Sequence, residues 1–296
     1  MTKSVVVTGA TSGIGLATAL ELARAGLDVI GTARSEDKAQ ALREAAERDG
    51  LGVRTVLLDV CDATSTVRAF TEIATMTGGG PWAVVNNAGM AQPGAVEDVE
   101  DDQVRLQLET NLVAPARIAR LVLPQMRQRR SGRIVNISSV SGRVSAPFLG
   151  WYCASKQGLA AMSDALRIEV AQFGVKVVLV EPGSFGTDIW ERSLNRLPPR
   201  KNSAYAESYE VADDVLRRAA ALPDPMPVAQ AVRHALLTPR PRARYLVGSD
   251  AKAGAFLDAV APRAVSDYAK GVATGLRKPP RRVAQLLDRV TQRQSR

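Results

Sequence analysis

Tyr152 and Lys156 stand four residues apart, a spacing that puts both side chains on one face of a helix. An ammonium beside a phenol favours the phenolate and lowers its pKa. A phenol tuned toward working pH can give a proton to a substrate oxygen, or take one from it. Ser138 and Ser139 precede the pair at the end of an apolar run. A hydroxyl there can hold the substrate oxygen, although serines at strand ends also serve simply as turn residues.

A second group is the glycine loop that follows Val5, Val6 and Val7, with Thr8 leading into Gly9-x-x-x-Gly13-x-Gly15. Thr11, Ser12 and Ile14 fill the positions between the later glycines. Glycines let the backbone turn tightly and approach a pyrophosphate. The helix that follows offers free N–H groups and a positive dipole end to the anion. Asn86-Asn87-Ala88-Gly89 leaves room for a ribose and a nicotinamide, and by itself could equally be a turn. No cluster of His, Cys and Asp has metal-ligand spacing, so no metal is expected. His234, the single histidine, lies outside every motif, and Trp151 either lines a pocket beside Tyr152 or packs.

These residues need a scaffold that alternates strand and helix. Short apolar runs at 5–7, 28–30, 53–58, 82–86, 133–138, 175–180 and 245–247 read as strands. Helical patterns occupy 13–25, 36–48, 64–77 and 152–173, and two helices meet near Asn111 within 101–130. The alternation predicts an α/β fold, a doubly wound parallel sheet of Rossmann type in a single domain over residues 1–275. Residues 184–227 break the alternation and read as a substrate-covering segment. Among their polar residues stand Phe185, Ile189, Trp190, Leu194 and Leu197, an apolar lining suited to a bulky lipophilic alcohol or ketone.

The composition, 46% hydrophobic and 23% charged, is that of an ordinary globular protein. Two cysteines, Cys61 and Cys153, are too few for a disulfide framework and read as small buried hydrophobes in a reducing cytoplasm. Neither a signal peptide nor a transmembrane span is expected. The net charge of +9 is uneven. In residues 277–296 seven Lys and Arg stand against Asp288, so +6 of the charge sits in a C-terminal tail assigned to 276–296. Such a tail could touch an anionic membrane surface peripherally; no nucleic-acid role is expected.

Taken together, the motifs resemble the short-chain dehydrogenase/reductase family, in its single-domain branch. The resemblance runs from about Thr2 to Val247 on the glycine loop, Asp59-Val60, Asn86 to Gly89, Asn111, Ser139, Tyr152, Lys156, and Pro182-Gly183 with Thr187. It implies an NAD(P)-dependent oxidoreductase acting on CH–OH groups. Tyr152 would be the general acid or base, and Lys156 would hold the nicotinamide ribose and lower the Tyr152 pKa. Ser139, thirteen residues before Tyr152, would orient the carbonyl. Asn111 would keep a helix kink open for a water in a proton relay. Asp59 and Val60 would sit against the adenine, Asn87, Ala88 and Gly89 beside the ribose and nicotinamide, and Pro182, Gly183 and Thr187 against the carboxamide. The stretches from Trp82 to Gly89, from Gly132 to Ser139 and from Phe173 to Gly183 further resemble the retinol and hydroxysteroid dehydrogenases. The family usually pairs the long helices around Asn111 and Tyr152 into homodimers or homotetramers.

An NAD-reading site carries an acidic residue at the end of the second strand to accept bonds from the ribose 2′-hydroxyl. Here that place falls at Ala33, followed by Arg34 and Ser35. A guanidinium can clamp a 2′-phosphate, so NADP is the expected cofactor, with NAD possible. Many NADP-using relatives carry a second basic residue at the position of Ser12, which softens the preference. Two rival readings are a non-catalytic NADP-binding regulator and a nucleotide-sugar epimerase or dehydratase. An intact Ser139, Tyr152 and Lys156 argue against the first. The epimerases form a longer branch with a different glycine spacing.

Overall fold

Val5, Val6 and Val7 are wholly buried, as a central strand covered on both faces requires. The computed structural model describes residues 3–198, 201, 203–220, 222 and 224–278. Most of the basic tail therefore lies outside the described residues. Seven strands, β1 (Ser4–Val7), β2 (Asp28–Ala33), β3 (Val53–Leu57), β4 (Ala83–Asn86), β5 (Gly132–Ile137), β6 (Val175–Pro182) and β7 (Arg244–Val247), form one parallel sheet. Their order is β3-β2-β1-β4-β5-β6-β7. Val6 lies opposite Ile30 of β2 on one side and Val84 of β4 on the other. The chain winds outward in both directions from β1, so a crevice opens above the carboxyl ends of β1 and β4.

Helices cover both faces. The core that holds Val5, Val7, Val135 and Val178 is closed by α1 (Gly13–Arg24), α2 (Glu36–Arg48) and α9 (Met226–Leu237). The opposite core, around Val6, Ile30, Val84 and Ile134, is closed chiefly by α3 (Ala63–Thr77) and α5 (Ala114–Gln128). Ends are set by local chemistry. The Asp62 carboxylate accepts from the Thr64 N–H, 2.8 Å, to start α3, and Gly78 ends it at φ 64°. The helical region read at 101–130 is α4 (Asp101–Leu108), a π-helical turn (Glu109–Val113) and α5.

Residues 184–227 are more helical than their composition suggests, with α7 (Asp188–Leu194) and α8 (Ala206–Ala220). Tyr209 of α8 is fully buried; its hydroxyl donates to Asp98, 2.6 Å, and accepts from the Ala95 N–H, 2.8 Å. With Phe148 it anchors this segment to the body. After β7 the chain adds α10 (Ser249–Val260) and α11 (Arg263–Ala273). Neither of these nor α9 was anticipated from the sequence.

Candidate active site

The long helix α6 (Gly150–Glu169) carries Tyr152 and Lys156 on the face turned to the sheet, so both are buried, at 4% and 5% exposure. The Lys156 ammonium donates to the Ile137 carbonyl at the end of β5, 3.0 Å, and lies 5.8 Å from the Tyr152 ring centre. Ser139 caps the turn after β5, its Oγ accepting from the Ser141 N–H, 3.1 Å, and it lines the same cleft as Tyr152. Ser138 instead turns toward the Lys156 carbonyl.

Burial decides the protonation of this pair. It pushes the Tyr152 phenol up to about 12, with the Ser139 hydroxyl pulling the other way. It brings the Lys156 ammonium down to about 8. The depressed phenol expected from the Tyr–Lys spacing is thus absent; loss of hydration dominates.

Asn111 sits in the π-helical turn, 1% exposed. Its Oδ1 accepts from the Met90 N–H, 2.9 Å, and its Nδ2 donates to the Met90 carbonyl, 2.9 Å, and to Ser155 Oγ, 3.0 Å. It lies behind the cleft and ties the loop after β4 to α6.

At the other end, the Thr8 hydroxyl accepts from the N–H groups of Asn87 and Ala88, each at 3.0 Å. The Asn87 amide donates back to the carbonyls of Thr8 and Gly9. These bonds draw the glycine loop against the loop after β4. At Gly15 a Cβ would fall 2.2 Å from the Gly9 carbonyl oxygen and 2.4 Å from Asn87 Nδ2, so only glycine fits. A third loop follows β6. Its Gly183 and Ser184 rest on Asp250 of α10, which accepts from the Ser184 N–H at 2.6 Å, and a Cβ on Gly183 would collide with that carboxylate. Beneath it Glu181, fully buried, is held by Arg143 at 2.7 Å and by Arg244 at 2.9 Å.

The three loops enclose a cleft of about 310 Å³. It gathers the predicted Gly9, Thr11, Ser12, Gly13, Ile14 and Gly15 with Arg34, Asp59 and Val60 at one end. Asn87, Ala88, Gly89, Ser139, Tyr152, Lys156, Pro182, Gly183 and Thr187 line the rest. Ser35 is not among its walls; it is the residue at which α2 starts. Phe185, Ile189 and Trp190 roof the cleft, Trp190 edge-on to Tyr152 at 6.5 Å, while Leu197 packs on the Phe148–Tyr209 cluster. Trp151 faces away, its indole N–H on the Val96 carbonyl, 3.2 Å. His234 meets the Tyr245 hydroxyl, 2.9 Å, outside the cleft. Sequence reasoning missed Lys38, Arg192 and Arg196 as lining residues. Among the described residues no group of His, Cys, Asp and Glu could hold a metal ion.

The short chain dehydrogenase family model matches residues 3–197. The chain belongs to the short-chain dehydrogenase/reductase family. Its members are NAD(P)-dependent oxidoreductases. The uncharacterized oxidoreductase YusZ of Bacillus subtilis is 39% identical over 70% of this chain and 75% of its own. Human retinol dehydrogenase 16 is 35% identical over 84% of this chain and 82% of its own. A short-chain dehydrogenase structure from Streptomyces avermitilis is 35% identical, covers 93% of this chain and 98% of its own, and has a TM-score of 0.76. A variant of the actinorhodin polyketide ketoreductase with NADPH is 28% identical at TM-score 0.70, over 83% of this chain and 95% of its own. Among the described residues no helix is long and apolar enough to cross a membrane.

Proposed function

We propose that this family member is an NADP(H)-preferring alcohol dehydrogenase or ketoreductase for a bulky lipophilic substrate, such as a steroid, a retinoid or a polyketide-like compound. The observation that carries the reading is the convergence of Ser139, Tyr152 and Lys156 in a cleft with a glycine-built phosphate end and an apolar roof.

The residues fit a dinucleotide. The loop from Gly9 to Gly15 leaves a cradle that a Cβ would fill, and α1 points its N-terminus at it. Arg34 and Lys38 stand at the end where a 2′-phosphate would lie, beside Ala33, which offers no acceptor to a 2′-hydroxyl. When bound, the nicotinamide gives or accepts the hydride.

The remaining work falls to the protein. Tyr152 holds a proton at its phenolic oxygen at neutral pH and delivers it to the carbonyl oxygen in reduction. In the reverse direction the phenolate takes it back. Ser139, beside that phenol in the cleft, orients the substrate oxygen. Lys156, fixed by the Ile137 carbonyl, keeps a positive charge beside the ring and binds the nicotinamide ribose. Asn111 keeps the Met90 backbone and the π-helical turn in register with α6. Phe185, Ile189 and Trp190 exclude water over the reacting carbon and select apolar substrates. Related proteins named retinol dehydrogenases, and a polyketide ketoreductase holding NADPH, support this substrate class and cofactor.

The assignment includes a cytoplasmic setting, supported by the free thiols of Cys61 and Cys153. It also includes a homodimer or homotetramer built on α4 to α6, whose exposed apolar side chains include Leu106 and Ile168. The test is a panel of ketones and alcohols followed by NADPH absorbance. Decalones, steroids or retinoids should react with higher kcat/KM than small polar sugars; the opposite order overturns the substrate class.

A further inference from the structure

We infer that Arg192, on the covering helix α7, supplies the second cation of the 2′-phosphate site, so that NADP(H), bound as proposed above, draws this helix onto itself. The first cation is Arg34, which follows the end of β2, where a dinucleotide places its adenosine ribose. A second basic side chain is missing from the glycine loop, where Ser12 stands instead. The fold fills that gap from far along the chain. Arg192 Nη2 donates to Ser12 Oγ, 3.3 Å, across 180 residues of sequence.

Nothing local requires this reach. Arg192 already has a partner one turn back in Asp188, at 2.9 Å, and both are about half exposed. A side chain serving only that pair could lie along its own helix. Instead it leans over the cleft mouth, where Arg34, Lys38 and Arg196 also stand. Burial lowers the Arg196 pKa and the positive charges of Arg192 and Arg34 lower it further, in keeping with all three lining one cleft. No ion pair among the described residues holds Arg34, Lys38 or Arg196. Four cations share this end of the cleft with only the carboxylates of Asp59 and Asp188.

Converging like charges repel one another, and a dianion between them removes that cost. A 2′-phosphate offers two charges and three acceptor oxygens, enough for paired bonds from more than one guanidinium. The 2′-hydroxyl of NAD(H) offers neither. The path from the phosphate to the substrate is short. Thr187, just before α7, packs against Gly13, and Trp190, two residues before Arg192, stands over Tyr152. A phosphate held by Arg192 therefore also seats the roof of the substrate pocket.

The test is calorimetric titration of the full chain with NADP+, NAD+ and 2′,5′-ADP, in wild type, Arg192→Ala and Arg192→Lys. Removing a charge-assisted contact should weaken NADP+ and 2′,5′-ADP by about 10- to 100-fold. NAD+ affinity should stay close to wild type, and lysine should restore part of the loss. Hydrogen exchange should show residues 188–194 better protected by NADP+ than by NAD+ in wild type, with the difference lost in Arg192→Ala. A wild-type preference for NADP+ that survives Arg192→Ala, or equal weakening of both cofactors, overturns the role of Arg192 alone. A wild type with no preference for NADP+ overturns the cofactor reading beneath it.

Discussion

Replacing Asn111 by leucine, of similar volume, removes hydrogen bonds while opening almost no cavity. Three contacts disappear: those to the Met90 N–H, the Met90 carbonyl and Ser155 Oγ. Ser155 still has the Tyr152 carbonyl as acceptor, 2.7 Å, so it is the least affected. The Met90 backbone lies in a buried residue, 7% exposed, and has no replacement at hand. Two stranded backbone groups at about 1–3 kcal/mol each give a loss of about 2–6 kcal/mol. At about 2–4 °C per kcal/mol for a domain approaching this size, Tm should fall by on the order of 10 °C. Thermal unfolding by circular dichroism measures it, with urea unfolding as a check that the slope m is unchanged. Turnover should fall as well, because Met90 follows the loop that seats the nicotinamide end and Ser155 shares α6 with the catalytic pair. A Tm within about 2 °C of wild type, which corresponds to less than about 1 kcal/mol, would refute the claim that Asn111 is the sole support of this backbone.

Gly15→Ala should weaken binding of either cofactor by more than about tenfold, since its Cβ meets the Gly9 carbonyl and Asn87 within 2.4 Å and overpacking of this kind costs about 1–3 kcal/mol; tight binding read by NADPH fluorescence would show that the loop can shift. Carbonyl reduction should be flat through neutral pH, because the Tyr152 phenol, held up to about 12, stays protonated. It should decline as pH rises through about 8, where Lys156 loses its charge; a kcat/KM profile that rises through that range contradicts the assignment of the two groups. Ala33→Asp combined with Arg34→Ala should reverse the cofactor preference, since the carboxylate repels a 2′-phosphate and accepts from a 2′-hydroxyl. The change in relative kcat/KM should correspond to about 1.5–3 kcal/mol, and an unchanged ratio places the discrimination elsewhere.

The alternation of valine-rich runs with helical patterns was enough to read the sheet and the helices from residue 5 to 182, because the central strands β1, β4 and β5 are buried on both faces. Tyr152 and Lys156 could be read as a pair because helix geometry alone joins them. Their protonation could not, since burial is a tertiary property and here it dominates. Trp151 shows the limit of adjacency. Successive helical residues point about 100° apart, so it is Trp190, from another element, that meets Tyr152. Helix α9 did carry a legible signal: Val228, Val232, Ala235 and Leu236 are all buried at helical spacing, and prolines sit at its start. The neighbouring polar and proline-rich stretch masked it. Arg192 and Arg196 left no such trace, because only the folding of α7 over the glycine loop brings Arg192 to Ser12 and both arginines to the cleft.

The central claim is that Tyr152 exchanges the proton while hydride moves to or from NADP(H). Tyr152→Phe removes one oxygen from the cleft wall and leaves the Lys156–Ile137 contact in place. Steady-state reduction of the best ketone by NADPH should fall by at least about 100-fold, the range lost with a general acid, while NADPH titrates the variant as it does the wild type. Turnover within about tenfold of wild type would contradict the account.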